Sequence, residues 1–421
     1  MQSFLSLYKR LLKARIYNES DAEIENIKSG LDYDKHHLDC LLNPQKQPPV
    51  IKLAKCSCSD EEKEKCEEVC FFNALKHDEN GNVMISREDC VGCGDCINNC
   101  KSNNLAEIKE AIPIFDILNE GKSPVYVMIA PAYISQFSEK VTPGKLRSAF
   151  KLLGFSGMVE VALFADILTL KEALEFDNTI QNDKDFMLTS CCCPMWIAMI
   201  KKIYNTLVPH LPPSVSPMAA CGRSIKTLYK DATTVFIGPC IAKKAESREA
   251  DITESVDFVL TFEEVQDIFE AAGINPIELD EDLRDHSSKA GRTYAITSGV
   301  SEAVKSTLER LSPERNIPLK AQHADGIKAC KIMLKDILDG TIKSNFIEGM
   351  GCVGGCVGGP KALIDREEAK DNVKEYGDKA EYITPVDNPY VIELLGRLGF
   401  DSIKSLLEDD NLFTRSFNAS K

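Results

Sequence analysis

The sequence predicts an α/β protein with a small, cysteine-dense block in its N-terminal part. From residue 123 onward, short apolar runs typical of buried strands alternate with amphipathic stretches typical of helices. The predicted strands are Val125–Ile129, Met158–Val161, Phe186–Leu188, Thr234–Ile237, Val256–Leu260 and Thr293–Ile296. The predicted helices include 143–153, 170–176, 262–271 and 301–310. Cysteines follow two of these strands, and open α/β sheets place their sites at the carboxyl ends of strands.

The bulk composition narrows the classes of function. The chain has 421 residues, with 50 Lys and Arg against 65 Asp and Glu, for a net charge of −15. This acidic balance argues against nucleic acid as a partner, because phosphate binding needs basic groups. We expect no membrane span, since no apolar run is long enough, and the N-terminal residues lack the apolar core of a signal peptide. A cytoplasmic protein of two or three domains is therefore expected.

Seventeen cysteines dominate the chemistry available to this chain. A disulfide framework is the less favoured interpretation, because such frameworks belong to small secreted proteins. The cysteines instead occur in clusters with the spacing of metal ligands. The sequence is organised around residues 346–360, where Cys352 and Cys356 lie among six glycines. Glycine lets the backbone approach a bulky object, and thiolates are the usual ligands of iron–sulfur clusters.

The cysteine-dense block covers residues 50–108. Its second half carries four cysteines in the pattern C-x2-C-x2-C-x3-C, the run of bacterial ferredoxins with two clusters. These are Cys90, Cys93, Cys96 and Cys100. The first half carries four more at altered spacing, namely Cys56, Cys58, Cys66 and Cys70. Structural zinc remains the alternative for this block, although zinc favours paired C-x2-C knuckles.

The two halves of the block also resemble each other beyond their cysteines, since Cys70-Phe-Phe-Asn-Ala-Leu matches Cys100-Lys-Ser-Asn-Asn-Leu. The block therefore resembles a small α+β ferredoxin domain with two 4Fe–4S clusters. The resemblance assigns one cluster to Cys70, Cys90, Cys93 and Cys96. It assigns the other to Cys56, Cys58, Cys66 and Cys100. The proline that often follows the fourth cysteine is absent from both halves, where Phe71 and Lys101 stand instead.

Four regions are expected along the chain. They are an N-terminal helical segment and linker (1–49), the ferredoxin-like domain (50–110), the main domain (122–365) and a helical extension packing on it (366–421). Apolar residues at helical spacing between Phe4 and Leu12 predict an amphipathic helix. That helix could dock a partner, but packing against the body of the protein is the favoured interpretation.

Three motifs of the main domain together resemble those of the iron-only (FeFe) hydrogenases. The first is Ser190-Cys191-Cys192-Cys193-Pro194-Met195-Trp196. The second is Pro239-Cys240-Ile-Ala-Lys243-Lys-Ala-Glu246, and the third is Glu348-Gly-Met350-Gly-Cys352-Val-Gly-Gly-Cys356. The resemblance implies a two-lobed domain of sheets flanked by helices. It also implies an H-cluster, a 4Fe–4S cubane bridged to a two-iron unit that carries carbon monoxide, cyanide and a dithiolate.

The resemblance implies site roles by position. The cubane ligands would be Cys193, Cys240, Cys352 and Cys356, the last of which would also bridge to the two-iron unit. Lys243 would donate to a cyanide, as a compact cation can. Cys192 would carry protons. The residues that match segments around the two-iron unit are Pro131, Ala132, Pro239 and Met350.

The triple cysteine makes the first motif ambiguous. Reading from the left pairs Cys191 with Cys192, whereas reading back from the proline pairs Cys192 with Cys193. The family's proton path has two glutamates three apart, about twenty residues before the proton-carrying cysteine. Glu172 and Glu175 match that arrangement and favour Cys192 as the carrier. Without the resemblance, the two glutamates would be interpreted as a solvated helix face.

Several positions depart from the family and indicate a divergent branch. Residues of the proton path or of the surroundings of the two-iron unit are replaced by Thr179, Pro212, Met218 and Gly238. The chain also has extra cysteines, Cys191, Cys221 and Cys330. Buried, inert thiols are the default interpretation, and Cys221 is the one considered for redox reactivity.

The leading expectation is an enzyme that interconverts protons, electrons and hydrogen, with electrons relayed through the ferredoxin-like clusters. Ferredoxin or flavodoxin would be the electron partner, and maturation proteins would insert the two-iron unit. The alternatives are a hydrogen-sensing or regulatory protein and a non-catalytic iron–sulfur scaffold of the same family. The presence of Cys192 and Lys243 favours the enzyme over the scaffold.

Overall fold

The computed structural model describes residues 2–30, 32–56 and 58–417. The N-terminal part forms three helices, α1 (Phe4–Ile16), α2 (Ser20–Gly30) and α3 (Lys35–Leu42). The apolar face of α1 is buried against the helix at 262–272 and joins the same core cluster. The helix therefore packs on the body of the protein. This agrees with the favoured interpretation of its apolar stripe.

The cysteine-dense block, called the accessory block from here on, is built from short elements. They are β1 (Val50–Lys52), α4 (Asp60–Glu68), β2 (Leu75–His77), β3 (Val83–Ile85), α5 (Asp95–Asn99) and β4 (Leu105–Glu107). β1 pairs antiparallel with β4, and β2 pairs antiparallel with β3. Its buried apolar core consists of Val50, Leu75, Val83 and Leu105, with cysteines packed around them.

The main domain alternates strands and helices. Its elements are α6 (Ala111–Glu120), β5 (Val125–Ile129), α7 (Pro143–Leu152), β6 (Gly157–Glu160), α8 (Ala162–Thr179), β7 (Met187–Leu188), α9 (Pro194–Lys202), α10 (Pro217–Leu228), β8 (Thr233–Gly238), α11 (Ala242–Glu246), β9 (Phe258–Thr261), α12 (Phe262–Ala272), α13 (Lys289–Arg292), α14 (Gly299–Leu311), β10 (Ala321–Asp325), α15 (Ile327–Leu338) and β11 (Phe346–Met350). Two further helices follow, α16 (Arg366–Asp378) and α17 (Pro389–Arg397).

The strands form two parallel sheets, one in each lobe. The first has the order β6-β5-β8-β9, and the second has the order β10-β11-β7. The central strands of the first sheet, β5 and β8, are buried along almost their whole length, which explains their continuous apolar runs. The predicted α/β fold with sheets flanked by helices is confirmed. Among the described residues, no helix combines the length and apolarity that crossing a membrane requires.

One predicted strand is wrong, and two strands were missed. Thr293–Ile296 was expected to be a strand, but Thr293–Ala295 forms a short 3₁₀ helix between α13 and α14. Its β-branched and aromatic residues favour strands, yet the segment lies between two helices, and Ile296 forms an isolated antiparallel bridge with Gly355 instead of joining a sheet. β10 is largely polar, and β11 contains Glu348 and a glycine, so neither shows the apolar pattern of a strand.

Candidate cluster site

The four predicted cubane ligands of the main domain follow strands of both lobes. Cys193 lies just after β7 and caps the N-terminus of α9. Cys240 follows β8, while Cys352 and Cys356 follow β11. Burial, followed by the nearby Cys193 thiol, raises the pKa of Cys240 to about 11 and that of Cys356 to about 12. The structure therefore brings together thiols that lie up to 163 residues apart in sequence, between Cys193 and Cys356.

Gly349 and Gly351, which precede Cys352, need to be glycines because their backbone packs closely against α9. A Cβ on Gly349 would lie 2.2 Å from the ring of Trp196, and one on Gly351 would lie 2.4 Å from Met195 Cβ. The backbone N–H of Gly351 donates to Cys193 Sγ at 3.2 Å. Trp196 is anchored in turn, since its indole N–H donates to the carbonyl of Thr189 at 2.8 Å. This packing holds the third motif against the first.

The donor set fits a 4Fe–4S cubane. Thiolates are the ligands that such clusters use. Burial raises the pKa values of all four thiols here, and the nearby Cys193 thiol adds to the rise at Cys240, Cys352 and Cys356. In the part of the chain that the structure describes, no three His, Cys, Asp or Glu side chains converge on a single-ion position. A cubane has its irons at separate corners, so its ligands do not need to point at one atom.

Lys243 is buried beside these thiols. Its Nζ donates to Glu246 Oε2 at 2.5 Å, and the second oxygen of Glu246 is buried without a hydrogen-bond partner. Burial alone would lower the pKa of Lys243, but the Glu246 carboxylate and the thiols of Cys192 and Cys240 outweigh it and raise the pKa. The side chain is therefore a permanent cation at the edge of the cysteine cluster, where an anionic ligand could accept from it.

The other predicted cofactor contacts lie on the same strand ends. Pro131 and Ala132 begin a 3₁₀ turn directly after β5. Pro239 precedes Cys240, and its carbonyl accepts from Lys361 N at 3.0 Å. Met350 is the last residue of β11 and is buried. Their contact with a two-iron unit stays a prediction.

Glu172 is not on a solvated helix face, because it is completely buried within α8. Thr189 Oγ1 donates to one of its oxygens at 2.8 Å, and no hydrogen-bond partner of the other oxygen is found among the residues that the structure describes. Burial raises the pKa of Glu172 to about 8. A carboxyl with such a pKa exchanges protons near neutral pH, as general acid–base work requires. Cys192, the predicted carrier, is also buried, and burial raises its pKa well above the usual range.

Glu175 is held by two residues that sequence reasoning missed. Lys171 Nζ donates to its Oε1 at 2.6 Å, and Ser214 Oγ donates to its Oε2 at 3.4 Å. Burial raises the pKa of Glu175, although Lys171 opposes that effect. Pro212 was expected to replace a residue of the family's proton path or of the two-iron surroundings, and Ser214, two residues later, supplies a hydroxyl to Glu175. Lys171 could have been found from its spacing, since residues four apart on a helix are neighbours.

The three extra cysteines are buried in well-packed surroundings. Cys191 Sγ donates to the carbonyl of Val215 at 3.2 Å, and Cys330 Sγ donates to that of Met350 at 3.2 Å. Cys221 lies in an apolar cluster and is fully buried. These environments favour inert thiols.

The accessory block brings its eight cysteines together in the two predicted quartets. A cavity of about 220 Å³ is lined by the first quartet, called the distal site here, which consists of Cys56, Cys58, Cys66 and Cys100. A cavity of about 20 Å³ is lined by the second quartet, called the proximal site, which consists of Cys70, Cys90, Cys93 and Cys96. The thiols fit two further clusters, and their ligand roles stay predictions.

The proximal site docks directly on the main domain. A Cβ on Gly92 would lie 3.0 Å from Ala242 Cα, and one on Gly94 would lie 3.3 Å from Ile241 Cδ1. Both glycines have positive φ, so their loop needs glycine for conformation as well as for space. Ile241 and Ala242 directly follow Cys240. The loop of the proximal site therefore rests against the segment that carries a predicted ligand of the main cluster.

Comparison with known proteins now identifies the class that the fold and cysteines define. Residues 123–360 match the family model described as the iron only hydrogenase large subunit, C-terminal domain. The chain belongs to this family.

Individual relatives fall into two groups. The chain is 27% identical over 442 residues to iron hydrogenase 1 of Clostridium pasteurianum, covering 82% of this chain and 76% of that protein. It is also 22% identical over 381 residues to cytosolic iron-sulfur assembly component 3 of Rattus norvegicus, covering 74% and 79% respectively. A solved structure of HydA1 from Chlamydomonas reinhardtii matches 73% of this chain and 98% of its own, at 22% identity and a TM-score of 0.58. That structural likeness concerns the fold.

Proposed function

We propose that this protein is an FeFe-hydrogenase that interconverts protons, electrons and molecular hydrogen at an H-cluster. The observation that carries the proposal is the position of Cys192 and Lys243 beside the four thiols of the main domain. A protein that holds only a cubane needs neither a buried thiol for protons nor a buried cation for an anionic diatomic ligand. When bound, the H-cluster would supply the open metal position and would exchange electrons with the accessory clusters.

The residues of the chain divide the remaining work. Cys193, Cys240, Cys352 and Cys356 would hold the cubane, with Cys356 also facing the two-iron unit. Lys243, kept charged by Glu246, would orient that unit by donating to it. On the proton side, Glu172 would hold a proton near neutral pH, and it accepts a hydrogen bond from Thr189, the residue before the first cysteine motif. The proximal site, which rests on Ile241 and Ala242, would connect the main cluster with the distal site and an external partner.

The proposal includes partners and location. Ferredoxin or flavodoxin would exchange electrons with the distal site, and maturation proteins would deliver the two-iron unit. A cytoplasmic location suits the many unpaired thiols, because reducing compartments preserve them.

A second candidate is a non-catalytic iron–sulfur assembly protein of the same family. The ion pair of Lys171 with Glu175 favours it, because the ammonium engages an oxygen of Glu175 and opposes the rise in the pKa of this carboxyl that burial causes. The assembly components among the relatives support it as well.

An infrared spectrum decides between the two candidates. The protein is reconstituted with cubanes, incubated with a synthetic two-iron precursor, and measured under argon and under hydrogen. The hydrogenase predicts carbonyl and cyanide bands that shift under hydrogen. Cubanes without such bands would leave the assembly protein as the function.

Two matched variants then test the proton carrier. Cys192→Ala should retain the bands but lose hydrogen evolution by at least 100-fold, the contribution typical of proton transfer. Cys191→Ala, at the neighbouring position, should retain both. The reverse result would move the carrier to Cys191 and the motif by one residue.

A further inference from the structure

The two cubane sites of the accessory block sit in repeated backbone frames. In each half, the residue three positions after the last cysteine is an asparagine with positive φ, 53° at Asn73 and 51° at Asn103. The next N–H donates back to the cysteine sulfur, at 3.2 Å to Cys70 and 3.3 Å to Cys100. Within this repeated frame, the position two residues after the cysteine differs in chemistry. It is Phe72 in one half and Ser102 in the other.

Ser102 contacts two sulfurs of the distal site. Its Oγ lies 3.8 Å from Cys58 Sγ and 3.5 Å from Cys100 Sγ. A free thiol can donate to that oxygen, but a thiolate bound to a cluster has no proton and can only accept. The hydroxyl proton is then directed to a ligand sulfur. Such a hydrogen bond stabilises the extra negative charge of the reduced cluster and raises the reduction potential.

Phe72 gives the proximal site the opposite environment. It is buried and lines the 20 Å³ cavity together with Ala74 and Leu75. An apolar wall cannot solvate the negative charge that reduction adds, so it lowers the potential. The distal cavity, by contrast, has about 220 Å³ of accessible space.

The lysines near the distal site do not explain the contrast by themselves. Three of them line its cavity, and each forms an ion pair with a carboxylate of α4. The pairs are Lys63 with Asp60, Lys65 with Glu61, and Lys101 with Glu62. Their charges are largely cancelled by these ion pairs, so the hydroxyl of Ser102 beside two sulfurs remains the main contrast with the Phe72 wall of the proximal site.

We propose that Ser102 sets the distal cubane at a higher reduction potential than the proximal cubane, so that an electron leaving the main domain comes to rest at the distal site. The step transfers one electron from a reduced proximal cubane to an oxidised distal cubane, and no bond forms or breaks. The inference rests on the two accessory cubanes of the proposed function, but not on hydrogen turnover. Electron transfer through the accessory block would then run from the proximal site to the distal site, and the electron would be held beside the surface that an external partner would reach.

The test uses the full-length protein reconstituted with cubanes, and potentiometry followed by electron paramagnetic resonance. Ser102→Val and Ser102→Thr form a matched pair, because they share a shape and differ by the hydroxyl. In Ser102→Val, of the two waves that belong to the accessory cubanes, the one at higher potential should move down, and the wave of the main-domain cubane should stay in place. A tenfold lower ratio of reduced to oxidised cluster at a fixed potential corresponds to about 59 mV. Ser102→Thr should keep the potential of the original protein.

Iron and sulfide content show whether each variant retains the two accessory cubanes as well as the cubane of the main domain, and Ser102→Ala serves as the test if Ser102→Val loses one. Unchanged potentials in a hydroxyl-free variant that holds both cubanes would overturn the proposal. So would a response in the wave at lower potential. The measurement needs no two-iron unit, so it can succeed even if the infrared test removes the hydrogenase function, and it can fail while that function stands.

Discussion

The main domain and the accessory block position their cysteines by different means. In the main domain, the ligand cysteines follow strands of two parallel sheets, and their loops are locked by tight backbone packing such as Gly349 on Trp196. In the accessory block, the cysteines lie between strands of three residues each, around four buried aliphatic side chains. The first arrangement is held by its own core. The second has too little core to hold its cysteines, because small domains bury little surface.

The largest effect expected from this difference follows removal of iron. Chelation under reducing conditions should unfold the accessory block and leave the main domain intact, since metal binding supplies the folding free energy of small metal domains. Hydrogen exchange followed by mass spectrometry should show full loss of protection in peptides within 58–104. Peptides that cover β5 and β8 should keep theirs. Equal protection in both regions would contradict the comparison.

Packing in the main domain is tested by one glycine. Gly349→Ala should destabilise the protein by about 3 kcal/mol, because the added methyl group overlaps the Trp196 ring. Gly396→Ala is the matched control, since nothing lies within 4 Å of its added Cβ, and it should stabilise α17 by about 0.5–1 kcal/mol. Denaturant unfolding followed by fluorescence of Trp196, the one tryptophan of the chain, measures both. If Gly349→Ala left the free energy of unfolding unchanged, the backbone at this position would be able to move and accommodate the added methyl group.

The pKa values of carboxyl groups also differ between the main domain and the accessory block. Burial raises the pKa of Glu172 to about 8 and that of Glu348 to about 7, whereas on the exposed α4 a hydrogen bond from the backbone of Ser59 lowers the pKa of Glu62. The infrared spectrum should therefore contain protonated carboxyl bands that disappear near pH 7 and pH 8. Glu172→Gln should remove the second band and leave the first. A spectrum unchanged by the substitution would show that Glu172 is already ionised.

The buried carboxyl of Glu172 also makes the stability of the protein depend on pH. The pKa of Glu172 in the folded protein, about 8, lies above its reference value of 4.5, so folding retains a proton that the unfolded chain releases. The contribution of Glu172 to the free energy of unfolding should fall as pH rises from 4.5 to 8 and be flat above, by at most about 5 kcal/mol. Unfolding midpoints of Glu172→Gln should be less dependent on pH over this interval.

The smallest effect is expected where the accessory block contacts the main domain. Lys202 Nζ donates to the carbonyl of Glu88 at 3.0 Å and to Asp89 Oδ1 at 3.1 Å, and it is partly exposed. Lys202→Ala should change stability by less than about 0.5 kcal/mol, as exposed ion pairs usually do. Gly92→Ala, which presses on Ala242, should instead increase hydrogen exchange in the loop of the proximal site. A large effect of Lys202→Ala would mean that charge, not close packing, joins the regions.

The α/β architecture, the family and the grouping of cysteines were predictable from sequence because each depends on local spacing. An apolar run such as Val125–Ile129 needs only its own residues to indicate a strand, and C-x2-C spacing places thiols on one loop whatever surrounds it. Thr293–Ile296 was the exception, since neighbouring helices overrode its strand propensity. β11 was not predicted as a strand because Glu348 interrupts its apolar pattern.

What tertiary structure decided is the environment of each group. The sequence shows that Glu172 is a carboxyl on a helix, but only the packing of α8 shows that it is buried and retains a proton near neutral pH. The pairing of Lys171 with Glu175, the hydroxyl of Ser214 and the contact of Ser102 with two thiols depend in the same way on the folded chain. Residue type and spacing are properties of the covalent chain. Burial and charge proximity arise from segments far apart in sequence, and they determine what the same residues can do.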